Sequence, residues 1–98
     1  MRVYLKVHSK HDFETIACCD EELLDQVYRE GNLKIEISRQ FFGGHLIELN
    51  DAILILREST CFNIVGENII KSAVEGGLLP KEGVRYINGV PMALKMMF

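Results

Sequence analysis

The sequence predicts an α+β fold, a mainly antiparallel or mixed sheet packed by two to three helices. Three observations carry this expectation. Residues 2–8, Arg-Val-Tyr-Leu-Lys-Val-His, alternate strictly between polar and apolar, which is the period of a strand with one buried face. Ile69, Ile70, Ala73 and Val74 fall at i, i+1, i+4 and i+5, so a helix there has one apolar face. Asn88-Gly89 between apolar runs is the strongest short-range hairpin signal a sequence offers. At 98 residues, 48% apolar and 26% charged, residues 1–98 have the length of one domain and too much apolar surface to stay disordered.

Along the chain, Val3, Leu5 and Val7 point to one side of the first strand and Arg2, Tyr4, Lys6 and His8 to the other. After the polar turn Ser9-Lys10-His11-Asp12, residues 13–18 read as the returning arm of a hairpin. Asp20 is expected to cap a helix over residues 21–30. Glu21 and Glu22 favour its first turn, Leu23, Leu24, Val27 and Tyr28 share one face, and Gly31 ends it. Residues 33–38 alternate again with Leu33, Ile35 and Ile37 inward, and the Phe-Phe-Gly-Gly turn at 41–44 joins them to residues 45–49 as a second hairpin.

Residues 52–56 are a solid apolar run that fits a buried strand or a buried helix; Asn50 as cap and Asp51 in the first turn favour helix. Residues 61–65 follow as a short strand, Gly66 turns the chain, and the second strong helix ends at Gly76 or Gly77. Pro91 has no N–H to give a ladder, so it belongs at an edge or at the start of the last strand.

The formal charge of −3 argues against bulk attraction to nucleic acid, which needs a large excess of Lys and Arg, and DNA is not an expected partner. No stretch approaches the ~20 apolar residues of a membrane span, and the N-terminus has no signal-like apolar block. A cytoplasmic location without membrane association is expected. Three cysteines, two of them adjacent, suit reduced thiols better than a disulfide framework. A chain this short buries only about 60 to 70% of its unfolded surface, so a homodimer is one route to further stability, with Met96, Met97 and Phe98 as its apolar contact.

Cys19-Asp20, the Phe41-Phe42-Gly43-Gly44 turn, Asn63-Ile64-Val65-Gly66 and Gly89-Val90-Pro91-Met92-Ala93 resemble, in order and spacing, a family of small archaeal proteins of unknown function. The resemblance covers nearly the whole chain and marks Asn63, Gly66, Gly89, Val90, Pro91 and Ala93. It implies an archaeal, cytoplasmic, single-domain protein and transfers no activity. The family's Gly-Val-Pro-His-Ala segment has Met92 here in the histidine's place. Methionine replaces that histidine easily if its role is packing, and removes its chemistry otherwise.

Several chemistries are disfavoured. His8, His11, Cys18 and Cys19 are zinc-type ligands, but adjacent strand cysteines point to opposite faces and the histidines span a turn, so no metal site is assigned. No G-x-S-x-G elbow occurs, and Cys61 beside Phe62 reads as a small buried hydrophobe. Glu21, Glu22, Asp25, Glu58 and Glu67 all have helix-surface or capping explanations. No catalytic residue and no cofactor is assigned, which leans against an enzyme.

Binding remains. Arg2, Tyr4, Lys6 and His8 interleave cations with an aromatic, and Arg39 with Phe41 and Phe42 lies at a turn, a surface suited to RNA or a ribonucleoprotein. The bland alternative is an ordinary solvent-facing strand with both phenylalanines plugging the core. A rival class is a small enzyme or ligand-binding protein with its pocket at Asn63, Gly66 and residues 89–93, including Gly89 and Pro91. The strand-Gly66-helix junction has the outline of an anion site, yet one glycine is not G-x-G-x-x-G, and Glu67 in the first turn repels phosphate. Asn63, polar within an apolar strand, needs partners. The preferred reading is a non-enzymatic interaction module docking on RNA or a ribonucleoprotein.

Overall fold

The alternation at the N-terminus builds strand β1 (Arg2–Lys10), which buries Val3 and Leu5 on one face and pairs antiparallel with β2 (Phe13–Asp20), from Val3 opposite Asp20 to Lys10 opposite Phe13. The structure, a computed structural model, describes residues 1–96. The remaining elements are β3 (Val27–Glu30), β4 (Leu33–Glu36), α1 (Arg39–Phe42), β5 (His45–Glu48), α2 (Leu49–Arg57), β6 (Cys61–Val65), α3 (Glu67–Glu75), β7 (Arg85–Ile87) and β8 (Val90–Met96). Six strands form one mixed, mostly antiparallel sheet in the order β5-β1-β2-β6-β8-β7, and β3 with β4 forms a separate hairpin. The domain is α+β.

Only β2 and β6 run parallel among the described strands. This seam joins two antiparallel triplets, β5-β1-β2 from the first part of the chain and β6-β8-β7 from the second. On one face, Val3, Leu5, Ile16, Cys18, Phe62, Ile64 and Ala93 pack beneath α2 and α3, which contribute Ala52, Leu56, Ile69, Ile70 and Ala73. On the other face, Ala17, Cys19, Val65 and Ile87 lie under Leu24, Ile35, Ile37 and Phe42, so the small hairpin and α1 form a second layer. Each large side chain buried this way contributes about 1.5–3 kcal/mol.

The hairpin expected at Asn88-Gly89 forms, with φ values of 49° and 79° that match a type I′ turn. Pro91, expected at an edge or as the first residue of its strand, is instead the second residue of β8, which lies between β6 and β7, and its carbonyl accepts from Gly66 N–H at 2.9 Å. The helix expected near residue 50 is α2, which starts at Leu49, so Asn50 lies inside it and Glu48 precedes it. No helix among the described residues is long and apolar enough to cross a membrane. Met97 and Phe98, expected in an apolar contact with Met96, lie outside the described residues.

Two further expectations are corrected. Residues 21–30 do not form a helix: Glu21–Leu23 is a 3-10 turn, and Val27 and Tyr28 belong to β3. Asp25 takes φ 72°, outside helical space, while its N–H bonds the Ile37 carbonyl at 2.7 Å, and the Ile37 N–H bonds the Gln26 carbonyl at 2.9 Å. These long-range bonds replace the i→i−4 ladder, and β-prone Val27 and Tyr28 follow them. Nor do residues 33–38 pair with 45–49. β4 pairs with β3, and β5 pairs with β1. The cause is Gly44, where the chain passes so near the Leu5 backbone that a Cβ would overlap its carbonyl oxygen. The glycine docks β5 onto β1 instead of turning it back.

Candidate functional site

The junction between β6 and α3 is built around a carboxylate. Asp20 ends β2 only 1% exposed, and it reaches across the seam to α3. Its Oδ2 accepts from the Asn68 N–H at 2.8 Å and its Oδ1 from the Ile69 N–H at 3.0 Å. Asp20 is therefore a helix cap, but of a helix more than forty residues downstream. Burial pushes the Asp20 carboxyl above its ordinary value, the two amide bonds pull it down, and Glu22 and Glu67 push it up further.

Gly66 sits against this carboxylate at φ 125°, and a side chain there would overlap Asp20. Beside this pair, between Asp20 and Gly89, Val90 and Pro91, lies a hollow of about 140 Å³, edged by Glu22, Leu23, Glu67 and Asn68. The structure thus brings Gly66, Gly89 and Pro91 together and leaves Asn63 elsewhere. The amides that open α3 already hold an internal anion, and an incoming phosphate would meet three carboxylates.

The residues of the expected strand face serve several purposes. Arg2 Nη2 is 3.3 Å from Glu21 Oε2, and Arg39 Nη2 donates to Asp25 Oδ2 at 2.7 Å. Tyr4 packs against the second core layer. Lys6 Nζ donates to the Gln40 carbonyl at 2.6 Å, and His8 Nε2 donates to the Phe41 carbonyl at 2.8 Å. The Phe41 ring stacks on His8 with centroids 4.6 Å apart. Phe42 is buried in the core, whereas Phe41 is 36% exposed. Lys6 and His8 therefore anchor α1 to β1, and Phe41 and His8 make a small aromatic stack at its border.

Beyond α1 the described residues place no covering layer on this face of the sheet. Pairing across four strands sets Lys6, Ala17, Asn63 and Leu94 in one row. His8 faces Thr15 and Cys61 faces Met96 in the next, and Lys10 faces Phe13 at the end. A concavity of about 430 Å³ opens here, lined by Phe13, Thr15, Asn63, Leu94 and Met96 together with Lys10, His11, Cys61 and Lys95. Phe13, Leu94 and Met96 are 55%, 59% and 55% exposed, well above what a sheet face normally leaves in water. Among the described residues no carboxylate lines it, although the chain carries a net charge of −3.

Asn63 is half-buried in this wall, and among the described residues neither its amide nor the Thr15 hydroxyl has a hydrogen-bond partner. The Lys95 side chain turns to the opposite face, where its ammonium lies 5.7 Å from the Phe62 ring centroid. Cys18 and Cys19 also point apart, one into each core layer. Among the described residues no three His, Cys, Asp or Glu side chains converge as metal ligands.

Sequence reasoning missed Phe13, Thr15, Lys10 and Leu94. The available signal was the same alternation that placed Lys6 and His8, continued one step to Lys10 and across the turn to Phe13. What it could not supply was the seam that lays Asn63 beside them.

The sequence profile of a family described as "Protein of unknown function (DUF424)" matches residues 8–97. The chain belongs to the DUF424 family. No curated protein matches it. The crystal structure of an uncharacterized conserved protein from Methanopyrus kandleri is similar to this DUF424 chain, with a TM-score of 0.84 and 25% identity over 100% of this chain and 96% of that one. Met92 is half-buried against the second core layer, opposite Val65 and Arg85. Here it packs.

Proposed function

We propose that this DUF424 chain is a non-enzymatic interaction module that docks single-stranded RNA, free or within a ribonucleoprotein, on the open half of its sheet. The supporting observation is the concavity at Asn63, where, among the described residues, exposed Phe13 and Leu94 flank an amide without a hydrogen-bond partner and no carboxylate intervenes. Unpaired bases offer a stacking face and an open polar edge, and their phosphates seek cations such as Lys10. Stacking on one aromatic is worth about 1–3 kcal/mol per base. A second copy of this chain is a poorer occupant, since a symmetric contact would gather the Lys10 cations of both copies on a face whose described lining holds no acid to offset them. The hollow at Gly66 and Gly89 is acidic and, at about 140 Å³, below the usual size of ligand pockets. A cytoplasmic location agrees with three buried thiols.

Fluorescence anisotropy with labelled single-stranded RNA tests the reading. Binding should weaken with added salt, and Phe13→Ala and Lys10→Glu should each lower affinity about fivefold or more. Arg2→Glu, at the Glu21 ion pair, should have a smaller effect. Wild-type protein that ignores RNA, or Phe13→Ala protein that binds as wild type does, would show the reading to be wrong.

A further inference from the structure

The geometry points to uracil as the base this concavity reads, an inference that rests on the RNA reading above. Besides the cationic and imidazole residues Lys10, His11 and Lys95, the lining holds one amide and one hydroxyl. Asn63 presents an N–H donor and a carbonyl acceptor side by side, and Thr15 adds a hydroxyl; among the described residues neither has a protein partner. Around them stand Phe13, Leu94 and Met96, which offer stacking and van der Waals contact only.

A nucleobase seated here must match that short inventory. In an RNA strand, uracil carries only two carbonyl acceptors flanking one N3–H donor, all on its Watson–Crick edge. The Asn63 amide can donate to one carbonyl and accept from N3–H, and the Thr15 hydroxyl can donate to the other carbonyl. Cytosine replaces a carbonyl with an amino group and leaves one of its hydrogens over. Adenine and guanine add ring nitrogens and amino hydrogens that the Asn63 amide and Thr15 hydroxyl cannot meet together. Each polar group pressed unmatched against apolar side chains costs about tenfold in affinity. Uracil leaves none, and Asn63 gains the partners it lacks in the protein alone. The edge must be unpaired, which restricts the ligand to a single strand or a loop. Lys10, in the pair beside Phe13, suits the adjoining phosphate.

Anisotropy with oligouridylate, oligocytidylate and oligoadenylate of equal length tests this. Wild-type protein should prefer oligouridylate about tenfold or more. Asn63→Leu, of similar size and without polar groups, should bring the three affinities together by weakening oligouridylate. Asn63→Asp, which swaps the amide donor for an acceptor, should shift the preference towards cytosine, whose amino group donates. Lys10→Glu should weaken all three alike. A circular-dichroism melt confirms that each variant is folded, and Thr15→Val supplies a milder second probe that should also reduce the preference. Equal binding of the three oligomers by wild-type protein overturns the uracil assignment while RNA docking stands; a preference that Asn63→Leu and Thr15→Val both leave intact overturns it too. Binding to none of them overturns both readings.

Discussion

Gly66 and Asp20 are fitted to one another across the sheet. The glycine, at φ 125°, omits the Cβ that would overlap the carboxylate, and the carboxylate uses that space to bond the Asn68 and Ile69 amides. Gly66→Ala should therefore combine backbone strain with overpacking and cost about 2–4 kcal/mol. Urea unfolding measures this. A midpoint unchanged from wild type would mean that the junction relaxes freely and that the fit has no energetic weight.

Asp20 also makes a pH prediction. Burial outweighs the two amide bonds and raises its carboxyl above the ordinary 3.8. A raised carboxyl holds its proton more tightly in the folded chain than in the unfolded one. The stability this supplies is full below pH ~3.9 and is lost as pH rises through the raised value. Asp20→Asn stays neutral, so its unfolding midpoint should fall less over that window than the wild-type midpoint does. Parallel curves for the two proteins would remove the assignment.

The adjacent thiols should be inert while the protein is folded. Burial, then the charges of Asp20, Glu22 and Asp25, pushes the Cys19 thiol up to about 12, and burial raises Cys18 as well, with Cys19 and Asp20 adding to it. The thiolate is the reactive form, so iodoacetamide at neutral pH should modify neither residue until denaturant is added. Mass spectrometry of the labelled peptides decides. Rapid labelling of Cys18 or Cys19 without denaturant would show that the sheet opens far more readily than its packing implies.

Lys6 and His8 hold α1 through the Gln40 and Phe41 carbonyls, so Lys6→Met with His8→Ala should loosen α1 while leaving the sheet intact. Hydrogen exchange should quicken in residues 39–43 and remain slow in β2 and β6. Uniform change throughout the chain would contradict a local anchor.

Local signals carried much of the fold to the reader of the sequence. β1 and β2, the β6-Gly66-α3 unit and the Asn88-Gly89 hairpin were legible because period, caps and turn residues lie within a few positions of one another. Residues 21–30 misled for a physical reason. Leu23, Leu24, Val27 and Tyr28 have helical spacing, but the cap they required, Asp20, is bonded to α3. The candidate site divides in the same way. Lys6 and His8 could be read from alternation, whereas Asn63 joined Phe13 and Thr15 only through the β2–β6 pairing, for which adjacent residues give no sign.

That pairing has one more consequence. Every other ladder of the main sheet stays within the strands before residue 58 or within those after residue 60, so the chain resembles two subunits of a heterodimer joined by a covalent tether. Each part offers the other a bare strand edge and a share of both core layers. A break in the turn at 58–60 would leave fragments that recognise each other through parallel backbone hydrogen bonds and the Asp20 cap. Fragment complementation is thus built into the strand order.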